Sequence, residues 1–323
     1  MLVALGARTP LQLGLKWAPG GPRHEKLTQV FLCRVTCSSR LAGIPAQRFP
    51  PVAPGPRHQQ NGESVHLVDT LRHVDASHLM KGVRVSFDHV GVRYPTGTQA
   101  LDDVTLAVPD GQFTAIVGPS GCGKSTLLRL AAGLERPTAG SVALDTSSVG
   151  FVFQEATLLP WRTVRRNIGL LARLAKVPKA EREARVDAVI DAVGLGGFAG
   201  QLPRALSGGM RMRVSLARAL VLRPDVMLLD EPFGALDELT RQDMQVELLR
   251  LYEQSRFTAL FVTHSVAEAV LLAQRVVVMS PRPGRIAAVV DIDLPAARGP
   301  ELRYDPRYVE HVAAVSALLQ EVR

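Results

Sequence analysis

The run Thr114-Ala115-Ile116-Val117-Gly118-Pro119-Ser120-Gly121-Cys122-Gly123-Lys124-Ser125-Thr126, continued by Leu127 to Leu134, decides the fold. Four strand-forming residues lead into a glycine-rich segment closed by Lys-Ser-Thr, and a leucine-rich helical stretch follows. This is the strand, loop and helix of a P-loop. In such a loop the glycines let successive backbone N–H groups turn inward on phosphate oxygens, and the helix N-terminus adds its positive dipole end. Lys124 supplies a point charge for the β- and γ-phosphates of ATP. Ser125 offers a hydroxyl to Mg²⁺, an ion that otherwise keeps water and phosphate ligands. Cys122 reads as a small packing residue of the loop, with no chemistry assigned.

A second stretch, Val226-Met227-Leu228-Leu229-Asp230-Glu231, is an apolar strand that delivers two carboxylates at its C-terminal end. Paired with a P-loop, Asp230 would hold Mg²⁺ through its water shell and Glu231 would orient and deprotonate the attacking water. From residue 80 onward short β-rich runs alternate with helical ones, the pattern of a parallel sheet flanked by helices. Strands are expected at Val83 to Phe87, Val104 to Val108, Thr114 to Val117, Val149 to Phe153, Val226 to Leu229, Ala259 to Val262 and Arg275 to Met279. Residues 155 to 220 hold no convincing strand and read as a helical insertion. Asp305-Pro306 opens a last helix, with Val309, Val312, Val315, Leu319 and Val322 as its packing stripe.

The bulk properties narrow the setting. With 323 residues and 46% hydrophobic content the chain can bury a substantial core. No stretch reaches the roughly 18 uninterrupted apolar residues of a membrane span. Three cysteines, Cys33, Cys37 and Cys122, are too few for a disulfide scaffold and fit a reducing compartment. Of the +8 formal charge, residues 1–79 hold nine Lys/Arg against four Asp/Glu, which leaves only +3 for residues 80–323. The basic balance is therefore a weak argument for nucleic acid, and no nucleic-acid partner is expected. The first 79 residues carry five of the eight histidines and eight of the 22 prolines without a sustained period. They read as a disordered extension, or as the product of a start assigned upstream of Met80. Cys33 and Cys37, with His24 nearby, do not have zinc-ligand spacing.

Leu206-Ser207-Gly208-Gly209-Met210 stands shortly before the apolar strand and its two acids. Ser207 is placed to cap a helix over Gly208 to Leu220, whose first N–H groups form a second anion site. Together with the P-loop, this segment resembles the signature of the ATP-binding cassette (ABC) family, and the resemblance covers residues 83 to about 290. It implies an α/β P-loop NTPase core with an antiparallel β subdomain and an inserted helical subdomain. Ser207, Gly208 and Gly209 would complete the ATP site of the opposite subunit in a head-to-tail homodimer. The resemblance also gives Tyr94 to adenine stacking, Gln154 to sensing Mg²⁺ and the attacking water, Asp237 of Gly234-Ala235-Leu236-Asp237 to the D-loop between subunits, and His264 to the γ-phosphate. Met210 and Met212 stand where the family usually has Gln.

Three stretches, Phe153 to Ile168, Leu206 to Arg213 and Met279-Ser280-Pro281-Arg282-Pro283-Gly284-Arg285, resemble ATPase subunits of the nitrate/sulfonate/taurine importer group, whose substrates include pyrimidine vitamin precursors. That implies transmembrane permease partners, an indirect link to a periplasmic or extracellular solute-binding protein, and a peripheral place on the cytoplasmic face of the cell membrane. The cassette would span residues 80–298, with the helical subdomain at about 155–220 and a helical tail at 299–323. Leu159-Pro160-Trp161 and the basic Arg162, Arg165 and Arg166 would form the groove for a coupling helix of the permease. Trp161 is either an interface anchor there or a core residue. Two other functional readings are a soluble ABC ATPase acting on nucleic acid or translation, which would usually carry two cassettes or a long coiled-coil insertion, and a non-catalytic regulatory ATP-binding module, which should lack Glu231 or His264, both of which are present.

Overall fold

Phe113 to Val117 is buried along its whole length, as expected of a central strand in a sheet covered on both faces. The computed structural model describes residues 82–295 and 298–322. The readings made for residues 1–79, those for Cys33 and Cys37 among them, lie outside the described residues. In chain order the elements are β1 (Val83–Arg93), β2 (Gln99–Pro109), β3 (Phe113–Val117), α1 (Lys124–Ala131), β4 (Ala139–Leu144), β5 (Val149–Val152), α2 (Val164–Leu174), α3 (Lys179–Ala192), α4 (Gly208–Leu220), β6 (Val226–Asp230), α5 (Glu238–Ser255), β7 (Thr258–Val262), α6 (Val266–Leu272), β8 (Arg275–Met279), β9 (Ile286–Asp291) and α7 (Pro306–Glu321).

Six strands form one sheet in the order β5-β6-β7-β3-β8-β9, and three form a second in the order β2-β1-β4. The first five of the large sheet run parallel. Side chains alternate across β3: Phe113, Ala115 and Val117 join a core shared with α4, α5 and α6, while Ile116 joins the core under β1 and β2. The helix α1 lies on the β1/β2 side, with Leu127 and Leu128 in that second core.

Several elements differ from the sequence reading. Two strands were not anticipated. The edge strand β9 runs antiparallel to β8, so the large sheet is not wholly parallel. Its run, Ile286 to Asp291, holds three β-branched strand formers, Ile286, Val289 and Val290, and pairs with β8 just before it in the chain. The strand β4, with Ala139, Gly140 and Ser141 at its start, exists because β1 offers it a free antiparallel edge. The helix expected over Leu127 to Leu134 begins three residues earlier, because Lys124, Ser125 and Thr126 already form its first turn. In α7 the buried face runs through Tyr308, Val315 and Leu319, and Val309 is exposed. The Tyr308 hydroxyl donates to the Ala267 carbonyl at 3.0 Å and so turns that face toward α6.

The C-terminal end of α6 is closed by Arg298, whose side chain is 8% exposed. Its guanidinium donates to the carbonyls of Val270 (3.3 Å), Leu271 (3.0 Å) and Ala273 (2.8 Å), which the helix leaves without partners. Burial lowers its pKa, yet the group stays protonated at neutral pH. Arg298→Met keeps much of the stem volume and removes the donors. It is expected to cost about 3 kcal/mol, or about 6–12 °C in Tm for a domain of this size, measured by thermal denaturation without nucleotide.

Candidate functional site

Because β5, β6, β7 and β3 are parallel neighbours, their carboxyl ends share one edge of the sheet, the place where open α/β sheets bind ligands. Gln154 follows β5, Asp230 and Glu231 close β6, His264 follows β7, and the P-loop follows β3. Residues scattered between Gly118 and His264 thus meet along one edge of the sheet.

Within the P-loop, Lys124 is only 5% exposed. Its ammonium donates to the carbonyls of Gly118 (2.9 Å) and Pro119 (3.1 Å) and lies 4.0 Å from Glu231 Oε1. Gly123 caps the helix α1 at φ 103°, in the left-handed region. A Cβ there would lie 2.5 Å from Leu101 Cδ2 and 3.0 Å from the Ala100 carbonyl oxygen, so only glycine closes the loop against β2. Ser125 Oγ donates to Asp230 Oδ1 at 2.9 Å. Burial raises the Asp230 pKa; the Ser125 hydrogen bond opposes the rise and the neighbouring Glu231 charge adds to it.

Glu231 has φ 44°, a left-handed conformation for a residue with a Cβ. Its N–H donates to the Val262 carbonyl at 2.9 Å, and its own carbonyl accepts from Gly234 at 3.1 Å. The chain therefore turns sharply off β6, and the carboxylate is delivered between two cationic or titratable groups. Glu231 Oε2 is 3.4 Å from His264 Nδ1, opposite the Lys124 contact. Gln154 reaches the same spot: a Cβ on Gly234 would lie 3.7 Å from Gln154 Nε2 and 3.8 Å from Glu231 Oε2. Tyr94, half-buried, donates its hydroxyl to Glu135 at 3.1 Å and lies 3.3 Å from Thr126 Oγ1, beside the end of the P-loop.

Other residues read from the sequence lie apart from this group. Ser207 is the N-cap of α4, its hydroxyl accepting from Met210 N at 3.2 Å, and Ser207 and Gly208 are exposed. No hydrogen bond or ion pair among the described residues joins them to the P-loop. Gly209 is buried against α5, where a Cβ would lie 2.2 Å from Thr240 Cγ2. Asp237 is the N-cap of α5; the Thr240 N–H, 3.1 Å from its carboxylate, holds its pKa below the usual range. Met212 belongs to the core and Met210 packs against it.

Three links escaped sequence reading. Arg241 donates to the Leu236 carbonyl at 2.9 Å and to Glu238 at 3.0 Å, and its Nε is 3.7 Å from Glu268 Oε1. Glu268 in turn accepts from Thr263 Oγ1 at 2.6 Å, next to His264, so a longer-range ion pair and one hydrogen bond lie between the D-loop and the His264 loop. The only local signal was the capping box Ser265-Val266-Ala267-Glu268. The segment after Gln154 is pinned twice. Arg218, buried on α4, donates to the carbonyls of Ala156 (3.0 Å) and Thr157 (2.9 Å). Asn167, fully buried, donates to the carbonyls of Leu159, Arg162 and Thr163 and accepts from Leu159 N at 2.8 Å. On that fixed turn Trp161 is 71% exposed, which excludes the core reading of this residue in the chain by itself.

The sequence profile described as ABC transporter matches residues 101–234. An ATP-binding protein of Brucella abortus (strain 2308) is 44% identical over 232 residues, 70% of this chain and 89% of that protein. The taurine import ATP-binding protein TauB of Rhizobium johnstonii is 46% identical over 217 residues, 64% of this chain and 83% of that protein. Among solved structures, a dimeric ATP-binding cassette in a post-hydrolysis state bound to ADP and Pi superposes with a TM-score of 0.59 at 31% identity. It covers 65% of this chain and 100% of that one. The chain belongs to the ABC transporter family. This ABC ATPase hydrolyses ATP to ADP and phosphate, with Mg²⁺, to drive transport.

The donor set suits that ion. A half-buried carboxylate whose charged form is disfavoured by burial, bonded to a serine hydroxyl, is stabilised by a nearby cation. No cluster of three His, Cys, Asp or Glu among the described residues could hold a metal. An ion between Ser125 and Asp230 would therefore draw its other ligands from phosphate and water, as Mg²⁺ does.

Proposed function

We propose that this ABC ATPase powers import of a small solute of the nitrate, sulfonate, taurine or pyrimidine-precursor type through separate permease subunits. It would sit at the cytoplasmic face of the membrane and take solute indirectly from an external binding protein. The observation that carries the transport reading is the exposed Trp161 on a turn rigidly fixed by Asn167 and Arg218, directly downstream of Gln154. An apolar anchor held this firmly is suited to receive a partner helix. The importer group is supported by the likeness to TauB.

In the proposed reaction Lys124 exchanges the Gly118 and Pro119 carbonyls for the β- and γ-phosphates, and the P-loop amides hold the rest of the polyphosphate. Tyr94 lies against the adenine. Glu231 takes a proton from the attacking water while His264, 3.4 Å away, orients that carboxylate and meets the γ-phosphate. Gln154 places the water. Ser125, Gln154 and Asp230 would hold Mg²⁺, which would supply charge neutralisation to the polyphosphate. The exposed Ser207 and Gly208, remote from their own P-loop, cap the ATP of a second copy, and Asp237 lies where the two copies meet. The site is thus completed only in a head-to-tail homodimer.

Two measurements test this reading. Purification of the tagged chain from detergent-solubilised membranes should bring down a multi-span membrane protein; recovery of ribosomal or nucleic-acid particles instead would favour the translation alternative. Trp161→Ala should leave Tm of the isolated subunit within about 2 °C, since the ring is exposed. It should weaken assembly with the permease by about 30-fold or more, the effect of losing a 2 kcal/mol anchor. Full assembly of the variant would refute the anchor role.

A further inference from the structure

The segment Ser280 to Arg285 marks the importer group, yet the reaction above gives it no task. In the fold it is the turn between β8 and β9, and it lies against the outside of the P-loop. Its own shape is closed by Ser280 N donating to the Arg285 carbonyl at 3.0 Å and Arg285 N donating to Ser280 Oγ at 3.1 Å. It is fastened to the start of β2 by Gly284 N to the Ala100 carbonyl (2.9 Å), Asp102 N to the Gly284 carbonyl (3.0 Å) and Arg285 Nε to Asp102 Oδ2 (2.9 Å).

From this base Arg282 donates two hydrogen bonds to one oxygen, the carbonyl of Gly121, from Nε at 3.1 Å and Nη2 at 2.9 Å. The next carbonyl, that of Cys122, faces Gly284 so closely that a Cβ on Gly284 would lie 1.9 Å from it. Two consecutive P-loop carbonyls are therefore turned outward onto one rigid wall. In a trans peptide the C=O and the following N–H point in opposite directions. Holding the Gly121 oxygen outward aims the Cys122 N–H inward, where it meets the Pro119 carbonyl at 3.3 Å. The Lys124 ammonium meets that same oxygen at 3.1 Å, so the Cys122 N–H faces the pocket that the lysine faces.

We propose that the Ser280 to Arg285 turn is the outer wall of the phosphate loop, and that Arg282 is a positioning residue that presets the Gly121–Cys122 peptide for a nucleotide phosphate. The role rests on the reading of this loop as the ATP site. It acts on binding, because the peptide must be aimed before phosphate arrives, and leaves the proton transfer at Glu231 untouched.

MgATP titration and steady-state hydrolysis by the full chain test this, with Lys124→Ala alongside. Arg282→Ala should raise Kd and KM about tenfold, the scale of one charge-assisted hydrogen bond, while kcat at saturating ATP changes by less than about twofold. Arg282→Lys, which can still donate to one carbonyl, should recover most of the affinity. Gly284→Ala, with Arg282 intact, should raise KM as well by forcing the wall off the Cys122 carbonyl. The proposal is overturned if Arg282→Ala binds MgATP like wild type while Lys124→Ala does not, or if kcat falls with KM unchanged. Equal binding by wild type and Lys124→Ala would instead defeat the phosphate-site reading itself.

Discussion

Glu231→Gln is expected to lower steady-state ATP hydrolysis by about 10²–10⁴-fold, the usual contribution of a positioned general base, while ATP binding stays within a few-fold of wild type. The carboxylate lies between Lys124 at 4.0 Å and His264 at 3.4 Å. Gln keeps its length and can still hydrogen-bond to His264, but it has no basic oxygen for the proton of the attacking water. The phosphate grip is left in place, since Lys124 and the P-loop amides do not depend on Glu231 for their positions: the ammonium is held by two loop carbonyls. Binding and turnover should therefore separate. If Ser207 of one copy closes over the ATP of the other, trapped nucleotide should also hold two chains together, because a ligand shared across an interface favours the dimer by mass action. Size-exclusion chromatography with and without MgATP reads this directly. Hydrolysis at the wild-type rate, or a monomer with ATP bound, would sink the two-subunit assignment.

Lys124→Ala should fail at the earlier step, weakening MgATP binding by about 100-fold or more. The thermal signature separates this from misfolding. At nucleotide concentrations about 100 times Kd the wild-type protein gains about 2.7 kcal/mol from ligand, about 5–11 °C in Tm; the variant should gain almost none. Without nucleotide its Tm should stay within a few degrees of wild type. The alanine removes a nearly buried charge together with its need for partners, and leaves the leucine core of α1 untouched. A variant that melts like wild type in excess MgATP would refute the assignment of Lys124 to the phosphates. A variant unfolded without nucleotide would show that the lysine instead holds the loop together.

The sequence and the structure meet most closely where a feature is built from neighbours along the chain. The P-loop could be read because strand, glycines and lysine are contiguous, and α4 was placed to the residue because Ser207 is a local cap followed by helix formers. The ends of β6 and β7 were marked by uninterrupted apolar runs that stop at Asp230 and just before His264. The strand β4 depends on the remote edge of β1, and its start of Ala139, Gly140 and Ser141 concealed it, whereas β9 pairs with its chain neighbour β8 and carries the local strand formers Ile286, Val289 and Val290. In α7 the expected stripe packs at Val312, Val315, Leu319 and Val322, and only Val309 falls outside it, its place at the start of the buried face being taken by Tyr308, which bonds to the Ala267 carbonyl 41 residues away in the chain.

What the sequence determined by itself is the set of candidate groups: a P-loop, two carboxylates at a strand end, a histidine, a glutamine and a capped helix start, each carried by a short run whose periodicity and caps depend on adjacent residues. Which of these meet was decided only by the tertiary structure. The order β5-β6-β7-β3 brings Gln154, Glu231, His264 and Lys124 to one edge and leaves Ser207 outside it. Strand order, the exposure of Trp161 and the Arg282 contact with Gly121 all depend on packing between segments tens to hundreds of residues apart. Such contacts form only when the whole core excludes water, and no window of neighbouring residues carries that information.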